Sequence, residues 1–143
     1  MPLKIIDHDS KEYQQMIELR DEILRKPLGL YFDPEELIRE KDDVLIGAFE
    51  DEKLIGCCLL TRAGAETCRL RQMAVSSNLQ KKGIGATLMN FAENVARDKG
   101  YQTIMMHARK SAVGFYQKFG YSISGNEFHE ITIAHYVMEK RLR

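Results

Sequence analysis

Gln80-Lys81-Lys82-Gly83-Ile84-Gly85-Ala86 is the stretch that decides how this chain folds. It stands between an apolar, strand-like run, Leu70 to Val75, and a periodic helix, Ile84 to Lys99. A helix that opens on glycines presents backbone N–H groups with no partner inside the helix. Those donors, with the positive end of the helix dipole, make a site for an anion. Gly83 and Gly85 have no Cβ, so a phosphate comes close to the backbone, and Lys81 and Lys82 add positive charge at the mouth. The stretch therefore predicts a pyrophosphate cradle on a strand–loop–helix unit. Glycine pairs before helices also serve as plain turns, and the spacing alone does not separate the two. The P-loop is excluded, because no Gly-Lys-Ser/Thr follows. So is the dinucleotide fingerprint, which needs a third glycine and a downstream acid.

On the helix, Ile84, Leu88, Phe91 and Val95 fall at i, i+4, i+7 and i+11, so one face is expected to be buried, and Lys99-Gly100 ends it. Upstream, Leu3 to Asp7 is a short edge strand. Ser10 caps a helix running to about Lys26, and Pro27 and Gly29 stop it. Asp33 and Pro34 open a second, short helix. Val44 to Phe49 and Leu54 to Thr61 read as a hairpin joined by Glu50-Asp51-Glu52-Lys53, and Thr67 to Val75 is a third antiparallel strand. Downstream come a strand at Thr103 to His107, a helix at Ala112 to Phe119, and strands at Tyr121 to Ser124 and Ile131 to Glu139. The order is β-αα-βββ-α-β-α-ββ, with a parallel crossover in an otherwise mostly antiparallel sheet.

The chain has 143 residues, the size of one domain with its own core. A formal net charge of zero removes any global electrostatic case for nucleic acid or membrane binding. No apolar run approaches the roughly 20 residues of a membrane span, and the N-terminus lacks the layout of a signal peptide. The cysteines are Cys57, Cys58 and Cys68. An odd count without a CxxC pair speaks against a disulfide framework or a metal site, and suits small buried side chains in a reducing cytoplasm.

Three motifs now stand in one order: Gln80-x-x-Gly83-x-Gly85, the preceding Met73-Ala74-Val75, and Ala112-Val113-Gly114-Phe115-Tyr116-Gln117-Lys118-Phe119-Gly120-Tyr121. Together they resemble the GNAT acetyltransferase superfamily over nearly the full chain. The tail from Gly125 to Met138 and the early Leu19-Arg20-Asp21-Glu22-Ile23-Leu24-Arg25 are similar to its bacterial ElaA/YjcF-like branch. The resemblance implies an α+β fold with a mixed, mostly antiparallel seven-stranded sheet flanked by helices. One departure stands out: Arg109 occupies a position where many members carry a cofactor-contacting asparagine.

The resemblance also implies acetyl transfer from acetyl-coenzyme A to an amine, with a small-molecule acceptor and a cytoplasmic setting. The backbone from Lys81 to Ala86, including Gly83, Ile84 and Gly85, would hold the pyrophosphate. Met73, Ala74 and Val75 would pair with the pantetheine arm like an added strand. A bulge nearby would aim one N–H at the thioester carbonyl. Arg109, Ala112 and Phe115 would complete the cofactor contacts. Tyr116 is the candidate general acid, since a phenol of pKa ~10 is nearer to a thiolate than any carboxyl is; its plainer reading is a core tyrosine.

A lysine-like amine is neutral less than ~0.1% of the time at pH 7, a penalty of roughly 4–5 kcal/mol that a base should offset. Glu66, His107, His129, Glu130 and His135 are candidates, although His135 would equally shape the pocket and Glu130 would equally bind a cation. Arg20, Arg25, Arg69 and Arg71 read by default as solvated. Arg69 and Arg71 share one strand face, however, and would suit an anionic group if that face lines the acceptor cleft. The rival to an enzyme is a catalytically silent acyl-coenzyme A sensor on the same fold. An exposed last strand would allow pairing across a homodimer.

Overall fold

A computed structural model describes residues 2–79 and 83–142. Gln80, Lys81 and Lys82 of the glycine loop therefore lie outside the described residues. The described strands are β1 (Leu3–Ile6), β2 (Val44–Glu50), β3 (Lys53–Arg62), β4 (Thr67–Val75), β5 (Thr103–Arg109), β6 (Ser122–Glu130) and β7 (Ile133–Arg141). They form one seven-stranded sheet in the order β1-β2-β3-β4-β5-β7-β6. Every neighbouring pair is antiparallel except β4 and β5. Element order and sheet type follow the expectation.

The alternation of side chains in the strands separates two apolar layers. Helix α1 (Lys11–Arg20) covers one face, where Tyr13, Met16 and Leu19 pack with Leu45, Cys57 and Leu59. Helix α3 (Ile84–Asp98) covers the other, where Ile84, Leu88 and Ala92 pack with Cys58, Leu70 and Ile104. Adjacent Cys57 and Cys58 thus point to opposite layers, as period-2 geometry requires, and all three thiols are free and buried. Among the described residues no helix is long and apolar enough to cross a membrane.

Local chemistry departs from the sequence reading at four places. The β2–β3 turn is only Asp51-Glu52, both at positive φ, because Glu50 and Lys53 already pair. The first helix does not run unbroken to Lys26: after Arg20 the chain widens into a π turn over Asp21–Arg25, then tightens into a 3₁₀ turn over Lys26–Leu28. Gly125-Asn126-Glu127, which reads as a loop, lies inside β6. Its glycine, at φ 87°, sits within a register shift between Ser124 and Phe128, so a bulge absorbs it. Ile131 and Thr132 are the turn to β7, not its start. The chain's last strand, β7, is flanked by β5 and β6, so the sheet edges are β1 and β6, and pairing through the last strand is closed off.

Arg20 is the largest surprise. It is fully buried rather than solvated, and its guanidinium makes two 2.7 Å hydrogen bonds to Glu40, one to each carboxylate oxygen. The Tyr13 hydroxyl donates a third to Glu40 Oε1 at 2.7 Å. Burial pushes the Glu40 pKa up, but the Arg20 hydrogen bonds and charge outweigh it, and the net shift is downward. This trio ties α1 to the turn that follows α2 (Pro34–Arg39), where Asp33 caps the helix by accepting from Glu35 N–H.

Candidate active site

The site begins at a seam in the sheet. β4 and β5 pair in parallel only through Thr67–Thr103, Cys68–Ile104 and Arg69–Met105. Beyond that point β4 runs on to Val75 and β5 to Arg109 without pairing with each other. Each strand keeps its other neighbour, β3 or β7, so the sheet opens as a wedge. A cleft of about 890 Å³ follows the wedge, and Ile23, Leu24, Arg25, Leu28 and Leu30 contribute to its lining.

β4 enters the cleft with a bulge. Cys57 pairs with Ala74 and Leu59 with Arg71, which leaves Gln72-Met73 opposite Cys58 alone. Gln72 takes φ 57°, a left-handed conformation costing a non-glycine residue about 1–2 kcal/mol. Such bulges re-aim backbone groups next to active sites. Met73, Ala74 and Val75 line the cleft directly after it.

At one end the cleft meets the start of α3. The first helical bond there is Thr87 N–H to Gly83 O, so the N–H groups of Ile84, Gly85 and Ala86 precede the ladder. Gly83, at φ 78°, has open space where a Cβ would stand. A Cβ on Gly85 would come 3.1 Å from the Phe115 ring, so this glycine lets Phe115 lie against the cradle. Gly83, Gly85 and Ala86 face the cleft, whereas the Ile84 side chain is buried in the α3 layer and offers only its backbone. These amide donors, a bare glycine surface and a wedge of strand edge fit a pyrophosphate with an extended, amide-bearing arm.

Arg109, Ala112, Phe115 and Tyr116 also line the cleft. Tyr116, on α4 (Val113–Gln117), is 8% exposed, and its hydroxyl makes no hydrogen bond to any described residue. Burial pushes its pKa up to about 12, with the Cys58 thiol adding to the shift. It therefore holds its proton at neutral pH.

The cleft also gathers charged and titratable groups on one sheet face. Cross-strand register sets Arg109 opposite His135 and Phe128 opposite His135. His135 Nδ1 lies 2.7 Å from the Ile133 carbonyl oxygen, which only accepts. Nδ1 therefore carries the proton, and Nε2 of the neutral ring bears the lone pair. His107 Nδ1 is 2.9 Å from Glu130 Oε2 and 3.0 Å from Arg69 Nη2. Arg71, Glu130 and His135 all line the cleft. What the sequence reading missed is the pairing of Arg69 with His107, the place of Gln72 at the bulge, and Arg25, which lines the cleft beside Glu36 with its guanidinium over Phe32. Period-2 alternation already put Arg69 and Arg71 on one common face; the contact with His107 needed the β4–β5 register.

Comparison with known proteins agrees with this geometry. The family profile described as "Acetyltransferase (GNAT) domain" matches residues 14–142, and the chain belongs to that family. It is 33% identical to the Bacillus subtilis protein YyaT over 81 residues, 57% of this chain and 55% of YyaT. It spans about half the length of the first curated relatives it matches. It is also 26% identical to the uncharacterized N-acetyltransferase YjcF of Bacillus subtilis over 139 residues, 95% of this chain and 97% of YjcF. Among solved structures, Escherichia coli ElaA superposes with a TM-score of 0.85 at 16% identity, covering 98% of this chain and 99% of ElaA. An aminoglycoside 6'-N-acetyltransferase complexed with coenzyme A gives 0.85 at 19% identity, covering 100% and 98%. At these identities the structural likeness establishes the fold, the GNAT acyl-CoA N-acyltransferase fold with its open seven-stranded sheet.

Proposed function

We propose that the protein transfers an acetyl group from acetyl-coenzyme A to the amine of a small molecule by direct attack. The observation that carries this reading is the wedge between β4 and β5, with the α3 amides at one end and the uncommitted Tyr116 hydroxyl on its wall. Bound coenzyme A in a structural neighbour of the same fold supports the donor. Ile84, Gly85 and Ala86 N–H hold the pyrophosphate, with Gln80, Lys81 and Lys82 contributing from the loop. Met73, Ala74 and Val75 offer strand edge to the pantetheine arm, and Arg109, Ala112 and Phe115 flank it. Arg109 substitutes charge for an amide contact.

Acetyl-coenzyme A supplies an activated acetyl carbon, at which a bond to the amine nitrogen forms as the carbon–sulfur bond breaks. The backbone N–H at the β4 bulge faces the carbonyl oxygen, where negative charge grows. His135 Nε2 takes the amine proton. The Tyr116 hydroxyl gives its proton to the departing sulfur and is reprotonated from water. Three free, buried thiols suit the reducing cytoplasm where this reading places the reaction.

The test is thiol release from acetyl-coenzyme A across an amine panel, repeated with Tyr116→Phe. With the best acceptor, kcat is expected to fall by about 10²-fold or more, the usual scale for loss of a general acid, while acetyl-coenzyme A binding measured by calorimetry stays unchanged. An unchanged kcat removes Tyr116 as the acid. Absence of thiol release with every amine defeats the reading.

A further inference from the structure

The acceptor end of the cleft contains a conflict at a single atom. His107 Nδ1 lies 3.0 Å from an Arg69 Nη2, which only donates, and 2.9 Å from Glu130 Oε2, which accepts when ionised. One ring nitrogen serves one of them at a time. With its proton on Nε2, neutral His107 accepts from Arg69 and faces the Glu130 carboxylate with a lone pair. With its proton on Nδ1, it donates to Glu130 and repels the guanidinium. Arg69 is thus held by a partner that also has a better one.

Arg69 is short of partners elsewhere. Its Nε is buried with no hydrogen-bond partner among the described residues. No carboxylate oxygen of the described residues lies within 4 Å of the Arg69 or Arg71 guanidinium. The two arginines share one strand face and both line the cleft. Burial, then the charge of Arg71, pull the Arg69 pKa below the usual guanidinium value, with Glu130 opposing. Glu40 also acts on this region, but both its oxygens are committed to Arg20. The charges of Asp43 and Glu130 also act on the pair, yet among the described residues no carboxylate reaches either guanidinium, and guanidinium geometry suits an oxyanion that presents two oxygens.

We infer that the acceptor is an amine that also carries an oxyanionic group, a carboxylate or a phosphate, which Arg69 and Arg71 grip. Taking that group draws Arg69 away from His107, whose Nδ1 then carries the proton and donates to Glu130. His107 is a positioning residue here: it holds Arg69 in the free enzyme and releases it to the acceptor. The inference rests on the acetyltransferase reading for the amine and on the arginine pair alone for the anion.

The test uses matched acceptors on the intact protein: L-lysine against cadaverine, β-alanine against its amide, and O-phosphoethanolamine against ethanolamine. The oxyanionic member of a pair is expected to show a KM at least tenfold lower, and the first two pairs against the third separate carboxylate from phosphate. Arg71→Gln and Arg69→Gln are expected to raise KM for the oxyanionic member about 10- to 100-fold and for its neutral partner at least tenfold less. Nitrogen-15 NMR of the histidine rings adds a readout independent of turnover. Adding the preferred acceptor is expected to move His107 from the Nε2–H to the Nδ1–H signature. Equal KM values within every pair, equal losses for both members in the Arg71 variant, or a His107 spectrum unmoved by all six compounds each overturn the inference. If no amine releases thiol, the acetyltransferase reading fails, and the His107 titration still decides whether the arginines bind the anion.

Discussion

Arg20 and Glu40 show how much a single pair of side chains holds in place. Removing one partner of a buried ion pair strands the other's charge, which costs about 3–5 kcal/mol. Glu40→Ala is therefore expected to lower unfolding stability by that amount in urea titration, and Arg20→Met with Glu40→Leu to recover much of it. The pH dependence has a definite sign. The folded Glu40 pKa is depressed, so its contribution is present above the ordinary carboxyl value of about 4.5 and fades as pH falls through the lower folded value. A wild-type protein whose acid unfolding midpoint matches that of the double variant contradicts this. The pair was hard to see in the sequence because arginine defaults to solvent. A trace was there, since Tyr13, Met16 and Arg20 lie at i, i+3 and i+7 on one stripe, and all three are buried.

At the scale of elements, the proposed anion cradle depends on how closely α4 packs on the start of α3. Gly85→Val places carbon against the Phe115 ring and into the cradle itself. Acetyl-coenzyme A affinity by calorimetry is expected to drop at least tenfold. The thermal midpoint should move little, because Phe115 is 36% exposed and its ring has room to shift. A large loss of stability with unchanged affinity would instead make Gly85 a packing residue only. The strands and helices themselves were readable because their periods of 2 and 3.6 are written in apolar positions. The turns were not. Asp51-Glu52 and Ile131-Thr132 adopt positive φ without the glycine or asparagine that usually marks such turns. The bulge at Gln72 has no compositional mark of its own; it is visible only as a mismatch of register between β3 and β4.

Across the whole molecule, the titratable groups of the core share a bias. Burial raises the pKa of Tyr13, Tyr116 and Tyr121, and of all three cysteines, with Cys68 reaching about 11 and Cys57 and Tyr116 about 12. Each group is neutral when folded and ionises more readily when unfolded. Their joint contribution is full below the unfolded thiol and phenol values of 9 to 10 and is lost as pH rises through 11 to 12. Thermal midpoints measured from pH 8 to 12 are expected to hold and then fall steeply; a flat profile to pH 12 would contradict this. The seam between β4 and β5 has a consequence at the same scale. A protein usually guards its strand edges at the rim of a sheet, because a bare edge invites another chain to join it. Here the rim runs through the middle of the fold, where three residue pairs join two half-sheets. On the proposed function, an extended ligand seated along that line would act as a splint, so the cell's supply of it would set not only how fast the protein works but how firmly its two halves stay together.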